Sequence, residues 1–286
     1  MTTAAADPAA AATRRFEVWG DPIGHSRSPD LHRAAYALLG MPWRYDRRRV
    51  DEAAFRGELT ALDPTVHGLS LTMPLKTLAH DAGARRDAAA RATGAANTLV
   101  RAGDGWAAFN TDVGGLARAL TEAGVAGVPR ARVVGAGATA TSAIAALRRI
   151  GVGAIDISAR RPGAAAPLRD LAAAMGLAVT VSPMDRPVGI VDLTISTLPG
   201  DAPVPADVAD GLAAVGGTLY DVVYGTWPTV LAEAWGRRAQ EAHPGMTMLL
   251  HQAVLQVRIF ASGSPDEPLP GEESVIAVMR RALVGG

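Results

Sequence analysis

Lys76 is the only lysine among 286 residues, and every other strongly basic side chain is arginine. Arginine keeps its charge at any working pH, whereas a desolvated lysine can release and recover a proton. Lys76 closes the stretch Gly68-Leu69-Ser70-Leu71-Thr72-Met73-Pro74-Leu75-Lys76. Pro74 lacks a backbone donor and biases Met73 away from helix, so the strand over Val66–Thr72 is expected to break there. A helical run follows, which puts Lys76 at a strand-to-helix junction, a usual place for a catalytic group in an α/β protein. The plain alternative is a solvated surface lysine.

Two serines form a second candidate site. Arg15–Trp19 reads as a strand and Gly20–Ser28 as a loop. Pro29–Leu39 reads as a helix, with Leu31, Ala34, Ala35, Leu38 and Leu39 on one face, Ser28 as N-cap and Gly40 as the stop. Ser26 and Ser28 then set two hydroxyls beside free backbone N–H groups, a natural cradle for a carboxylate; capping alone is the simpler account of Ser28.

Around these groups the first half alternates strand and helix. Trp43–Val50 reads as a strand and Glu52–Leu62 as a helix, with helical pieces over Lys76–Asp81 and Arg85–Ala90. Asn97–Arg101 and Trp106–Asn110 form a hairpin around Gly103-Asp104-Gly105, with Asn97 and Asn110 at its open end. Asp112 starts a helix ending at Ala123, where the helix dipole alone would justify an acid. Gly114 and Gly115 each weaken that helix by about 1 kcal/mol relative to alanine. Close approach of a ligand or another strand would account for them.

The second half carries a nucleotide signature. Gly135-Ala136-Gly137-Ala138-Thr139-Ala140 follows the apolar run Arg132-Val133-Val134 and precedes an amphipathic helix, Thr141–Arg149. This is G-x-G-x-x-A in its required context, the first glycine for the turn and the second for approach to a pyrophosphate. The strand Ala154–Ser158 ends in Ala159-Arg160-Arg161, where an NAD site would place an acid; Asp156 lies too early in the strand. Two guanidiniums there suit a 2′-phosphate, hence NADP, unless they form a solvated pair. The helix Pro167–Met175, the strands Ala178–Ser182, Val191–Thr197 and Thr218–Val223, and the helix Thr229–Gln240 continue the alternation expected of a doubly wound parallel sheet. Ser196-Thr197-Leu198-Pro199 and Tyr220-Asp221-Val222-Val223-Tyr224 end strands at the edge where the cofactor would lie. Met246–Ala261 is a nearly all-apolar helix and so a buried one. Its Gln252 needs partners, either a hydroxylated ligand or a backbone carbonyl. A last helix covers Glu273–Val284.

Composition narrows the classes. Hydrophobic residues make up 49% and charged residues 20%, and Lys+Arg balances Asp+Glu at 28 each. Two domains with sizeable cores are expected, with no nucleic-acid or membrane partner. With no cysteine, disulfides and thiolate chemistry are excluded. The six histidines (His25, His32, His67, His80, His243, His251) lack ligand spacing, so no metal is expected. The alanine-rich start, residues 1–13, lacks signal-peptide architecture and reads as a disordered tail on a cytoplasmic protein.

From Phe16 to about Gly263 the chain resembles the shikimate dehydrogenase family, through Gly20-Asp21-Pro22-Ile23-Gly24-His25-Ser26-Arg27-Ser28-Pro29, Ser70–Lys76, Gly94-Ala95-Ala96-Asn97-Thr98, Asn110-Thr111-Asp112, the glycine turn, Ser196–Pro199 and Gly245–Ala253. The resemblance implies a two-domain α/β fold. An N-terminal α/β substrate domain over residues 14–111 would be completed by the C-terminal helices 251–286. A Rossmann-type domain would span 112–250, with the active site in the cleft between them. It further implies that Ser26, Ser28 and Tyr224 hold the substrate carboxylate, that Thr72, Asn97, Asp112 and Gln252 contact ring hydroxyls, and that Lys76 and Asp112 are the catalytic pair. Gly135, Ala136, Gly137, Ala138, Thr139, Ala140, Arg160, Arg161, Thr197, Val222 and Gly245 would border NADP.

The chain departs from the family pattern in four places. Ser70 stands where the family usually has Asn, and Ala159-Arg160-Arg161 replaces Asn-Arg-Thr. Ala138-Thr139-Ala140 varies the fingerprint, and the segment after Tyr224 is a residue shorter. The implied reaction is reversible, NADP-dependent reduction of 3-dehydroshikimate to shikimate, with Lys76 as general acid or base. Quinate or an aminoshikimate is the alternative substrate, and a non-catalytic NADP sensor the alternative class. A monomer or homodimer fits either.

Overall fold

The computed structural model describes residues 14–284, so the alanine-rich start lies outside the described residues. Two six-stranded sheets organise the chain. The first half runs β1 (Arg15–Gly20), α1 (Ser28–Leu38), β2 (Arg44–Arg49), α2 (Phe55–Thr60), β3 (Val66–Leu71), α3 (Lys76–Ala82), β4 (Arg85–Arg86), α4 (Ala88–Thr93), β5 (Thr98–Ala102), β6 (Gly105–Phe109) and α5 (Thr111–Glu122). The second continues through β7 (Arg130–Val134), α6 (Ala138–Arg149), β8 (Ala154–Ala159), α7 (Ala166–Ala174), β9 (Ala178–Pro183), β10 (Leu193–Ser196), α8 (Ala206–Ala214), β11 (Thr218–Asp221), α9 (Val230–Arg237) and β12 (Ala242–His243), then α10 (Met246–Ser262) and α11 (Glu272–Val284).

The first sheet is mixed, in the order β2-β1-β3-β5-β6-β4. Strands β1, β2 and β3 run parallel, and the β5–β6 hairpin joins β3 antiparallel. The second sheet is wholly parallel, in the order β12-β11-β10-β7-β8-β9. Its order reverses between β7 and β10, and the crevice beyond the carboxyl ends of those two strands is where a doubly wound sheet takes its ligand.

Several local expectations need correction. Arg85–Arg86 is a short strand beside β6 rather than the start of a helix, because residues 85 and 86 pair with Ala107 and Ala108. Ser28 lies inside α1, whose cap position is Arg27 and whose start has no side-chain cap. The Ser28 hydroxyl is therefore not spent on capping. The helix after the glycine turn begins at Ala138, three residues before Thr141. Helix α8 carries little sequence signal, because its short apolar stripe (Ala209, Leu212, Ala213) sits among alanine, aspartate and glycine.

Helix α10 ties the halves together. Its residue Met248 belongs to the core of the second sheet with Leu116, Val133 and Ile195. Leu250, Ala253, Val257 and Phe260 belong to the core of the first, with Phe16, Leu31 and Tyr36. Helix α5 crosses α10 at backbone contact distance. A Cβ on Gly115 would lie 2.7 Å from both the Cβ and the backbone nitrogen of Gln252, and one on Gly114 would lie 2.6 Å from Leu255. The paired glycines thus answer to a helix, where close approach of a strand or a ligand was expected.

Arg132 and Asp156 form a buried ion pair in the second sheet, 2.8 Å apart with side chains 0% and 2% exposed. Asp156 also accepts from Thr180, Ser182 and Ser158, and Arg132 donates to the carbonyls of Val188 and Gly189. Every charge there is matched by hydrogen bonds, the condition under which a buried pair is tolerated. Asp156 is thus committed to the sheet interior.

Candidate active site

The end of β3 and the start of α3 place Lys76. The Leu75 N–H donates to the Thr72 carbonyl at 2.8 Å, closing the turn that carries the chain from strand to helix. Gly20 lets β1 approach this turn, since a Cβ there would collide with Thr72 and the Met73 carbonyl. The Lys76 ammonium donates to Asp112 Oδ2 at 2.7 Å and to Thr139 Oγ1 at 3.4 Å. Its side chain is 14% exposed, so it is largely shielded yet reachable by a solvent proton.

Asp112 is held from the other side. Asn110 caps α5 by accepting from the Asp112 N–H at 3.1 Å. Asn97 Nδ2 donates to Asp112 Oδ1 at 2.9 Å and to Gln252 Oε1 at 3.3 Å. Asn97 Oδ1 accepts from the Thr111 N–H at 2.9 Å, so the hairpin's first residue and the helix that follows it are locked together. Asn110, at the hairpin's other end, turns away to Thr93 and Ser142.

These groups face a cavity of about 170 Å³. Ser26, Ser28 and Tyr224 line it together with Thr72, Lys76, Asn97, Asp112 and Gln252. A cavity of roughly this size holds a six-membered ring. Burial raises the Tyr224 pKa, against the opposing charge of Arg27, so its hydroxyl stays protonated as a donor. Asp221 sets the position of Tyr224 by accepting from the Val223 N–H at 3.2 Å and from Thr229 Oγ1 at 2.8 Å. Burial pushes the Asp221 carboxyl up, and those two bonds oppose the shift.

Three residues expected beside the nucleotide, Thr139, Val222 and Gly245, line this same cavity. Gly245 is required there, because any Cβ would collide with the Val222 carbonyl. Ser70, where the chain departs from the family pattern, also lines the cavity, together with Gln256, and Tyr45 bonds Ser70 from behind; neither Gln256 nor Tyr45 is among the residues expected at the site. The signal was present for Gln256, which follows Gln252 by four residues on a buried helix and so shares its face.

A second cavity, about 390 Å³, lies at the carboxyl end of the parallel sheet. Gly135, Ala136, Arg160, Arg161, Leu198 and Pro199 are among its walls. Gly135 has φ +115°, and a Cβ on it would strike the Thr197 hydroxyl across the switch point. Thr197 itself bonds the Val134 carbonyl at 3.0 Å beside that turn and is not a wall residue of this cavity. A Cβ on Gly137 would meet nothing within 4 Å, so protein packing does not demand glycine there. Arg160 and Arg161 make no ion pair among the described residues. The walls therefore fit a dinucleotide with an extra phosphate. Among the described residues no three His, Cys, Asp or Glu side chains converge as a metal site. No helix among them is long and apolar enough to cross a membrane.

A family profile described as the shikimate dehydrogenase substrate binding domain matches residues 18–99. A shikimate dehydrogenase (NADP(+)) of Rubrobacter xylanophilus is 36% identical over 278 residues, covering 93% of this chain and 94% of that protein. The chain belongs to the shikimate dehydrogenase family. Among solved structures, the Mycobacterium tuberculosis shikimate dehydrogenase superposes with a TM-score of 0.83 at 38% identity, over 96% of this chain and 100% of that one. The Thermus thermophilus enzyme in complex with NADP(H) and shikimate gives 0.77 at 27% identity, over 94% and 100%. Membership in the shikimate dehydrogenase family accounts for the pairing of a hydroxyl-lined cavity with a dinucleotide fold in one chain.

Proposed function

We propose that this protein catalyses the reversible, NADP-dependent interconversion of 3-dehydroshikimate and shikimate. One observation carries the reading. The sole lysine, paired to a carboxylate, stands on the wall of a ring-sized cavity and also touches the first turn of the helix that follows the glycine turn.

When bound, the nicotinamide supplies or receives the hydride. The chain's own residues do the rest. In reduction, Lys76 Nζ gives a proton to the substrate carbonyl oxygen as the carbon is reduced, then recovers one from solvent. In the reverse direction it takes the proton from the hydroxyl. Asp112 fixes the ammonium and, through Asn97, is itself fixed. Ser26, Ser28 and Tyr224 orient the carboxylate, while Thr72, Asn97 and Gln252 take up ring hydroxyls. Arg160 and Arg161 would hold the 2′-phosphate of the cofactor.

We assign residues 14–111 and 251–286 to the substrate domain and 112–250 to the nucleotide domain. The separate sheets support that division, although the apolar face of α5 packs into the second core as α10 crosses it. The absence of cysteine accords with work in the reducing cytoplasm.

The test is the full chain with shikimate, quinate or an aminoshikimate, each with NADP or NAD, followed by nicotinamide absorbance. Turnover greatest with shikimate and NADP is expected. Absence of signal with every pair would leave only a binding role.

A further inference from the structure

Ser70 stands at the wall of the substrate cavity, 3% exposed, within a buried network of polar side chains from α1, β2, β3, β5 and α10. The network fixes which way every proton points. Gln256 Nε2 lies 3.1 Å from the Asn97 carbonyl oxygen and 3.1 Å from Thr98 Oγ1. A carbonyl can only accept, so the amide cannot be turned round, and Gln256 Oε1 must face the other way. Thr98 passes its own proton to Asn97 Oδ1 at 2.9 Å, which leaves it free to accept from Gln256.

Gln256 Oε1 also can only accept. It receives from Ser70 Oγ at 2.9 Å and from His32 Nε2 at 3.2 Å. His32 is neutral, its pKa pushed down to about 3 by burial, so its other nitrogen, Nδ1, has no proton and accepts from the Tyr36 hydroxyl at 3.2 Å. The single proton of Ser70 is thus spent on Gln256. The Tyr45 hydroxyl, 2.6 Å away, must donate to Ser70, which takes one of its two lone pairs. One lone pair is left, and Ser70 is a cavity residue.

We propose that Ser70 meets the substrate as an acceptor-only hydroxyl, with Gln256 as the positioning residue that makes it so. At the ring position facing Ser70 the cavity selects a group that donates a hydrogen bond, a hydroxyl or a protonated amine, and rejects one that only accepts. This rests on the proposed reaction and adds a rule for which ring substituents are taken.

The test uses steady-state kinetics of the full chain with shikimate and analogues in which one of the two non-reacting ring hydroxyls is replaced by hydrogen, fluorine or an amine. Fluorine retains weak acceptor character and cannot donate. At one position, fluorine and hydrogen are both expected to raise KM by roughly 10- to 100-fold, the range of one hydrogen bond to a buried partner. The amine at that position is expected to stay within roughly threefold of shikimate, and kcat to change less than KM throughout. In Gln256→Met, Ser70 regains a free proton, and the fluorine analogue is expected to improve relative to the hydrogen analogue. A purely structural role for Gln256 would instead raise KM for every compound alike. Tyr45→Phe leaves the Ser70 proton on Gln256 and is expected to keep fluorine and hydrogen equivalent. Wild-type enzyme that takes the fluorine analogues as well as shikimate overturns the proposal, with or without a folded Gln256→Met. Failure to oxidise shikimate itself would instead overturn the proposed reaction.

Discussion

The Thr139 hydroxyl lies 3.4 Å from the Lys76 ammonium, so the first turn of the nucleotide-side helix reaches the group assigned to proton transfer. Lys76 and Asp112, which are 36 positions apart, meet at the same point. The proposed proton donor, the carboxylate proposed to orient it and the dinucleotide fold therefore converge on one atom, Nζ.

Replacing Lys76 by Ala is expected to lower kcat by about 10²- to 10⁴-fold, the usual worth of a positioned general acid, with KM little changed. Lys76→Arg is expected to fail equally, because a guanidinium keeps its proton. Rapid turnover in either variant, measured by nicotinamide absorbance, would remove Lys76 from the chemistry.

Arg160→Ala and Arg161→Ala test the cofactor choice. Each charge-assisted bond to a phosphate is worth about 1.5–3 kcal/mol, so KM for NADP is expected to rise roughly 10- to 100-fold. KM for NAD, which lacks that phosphate, is expected to stay put. An equal rise for both cofactors would mean these arginines shape the sheet edge without reading the phosphate.

Gly115→Ala tests the crossing of α5 and α10. The added methyl would sit 2.7 Å from Gln252 Cβ. Overpacking of this kind costs about 1–3 kcal/mol, more than the ~1 kcal/mol that alanine gains in helix propensity. A Tm lower by several degrees is expected, together with a raised KM for shikimate, because Gln252 is the residue displaced. An unchanged Tm would show that the crossing relaxes freely.

The interior placement of Asp156 gives a stability prediction with no catalytic component. Asp156→Ala leaves Arg132 buried and unpaired, a loss of about 3–5 kcal/mol. Urea denaturation measures it. The ratio of NADP to NAD kinetics is expected to be unaltered; a shift toward either cofactor would mean that Asp156 does sense the ribose.

His32 supplies a pH dependence. In the unfolded chain it takes up a proton near pH 6.5, and in the fold only near 3. Between those values the unfolded state holds more protons, so stability falls as pH falls. The loss is up to about 1.4 kcal/mol per pH unit, and the full contribution is present above about pH 6.5. His32→Asn is expected to be less stable near neutrality and to have a shallower slope between about pH 6.5 and about pH 4. Parallel slopes for the two proteins would assign the acid sensitivity elsewhere.

The parts legible in the sequence were those written in local rules. Gly135, Gly137 and Ala140 announced a dinucleotide turn because strand, spacing and helix occur together. Lys76 stood out by being alone and by following Pro74. The hairpin around Gly103 to Gly105 was legible from its turn residues. What escaped depends on partners far away in sequence. Arg85 and Arg86 carry no strand signal and pair only because β6 is there to receive them. Ser28 looked like a cap because Ser-Pro usually is one, and only the course of the chain at Arg27 shows otherwise. Gly114 and Gly115 signalled close approach correctly, but the sequence could not say that a helix from the far end of the chain was approaching. Tyr45 and Gln256 were invisible as a pair because their shared partner, Ser70, lies on a third element.

Because Leu250, Ala253, Val257 and Phe260 of α10 and Val275 and Met279 of α11 complete the packing around Phe16, Leu31 and Tyr36, one face of the first sheet cannot be covered until those helices have been synthesised, whereas its other face packs with residues between Trp19 and Ala108 alone. The parallel sheet needs far less from the C-terminus and can collapse sooner. One face of the nascent N-terminal half therefore carries uncovered apolar surface until α10 and α11 emerge, the interval in which a holding chaperone would find its substrate.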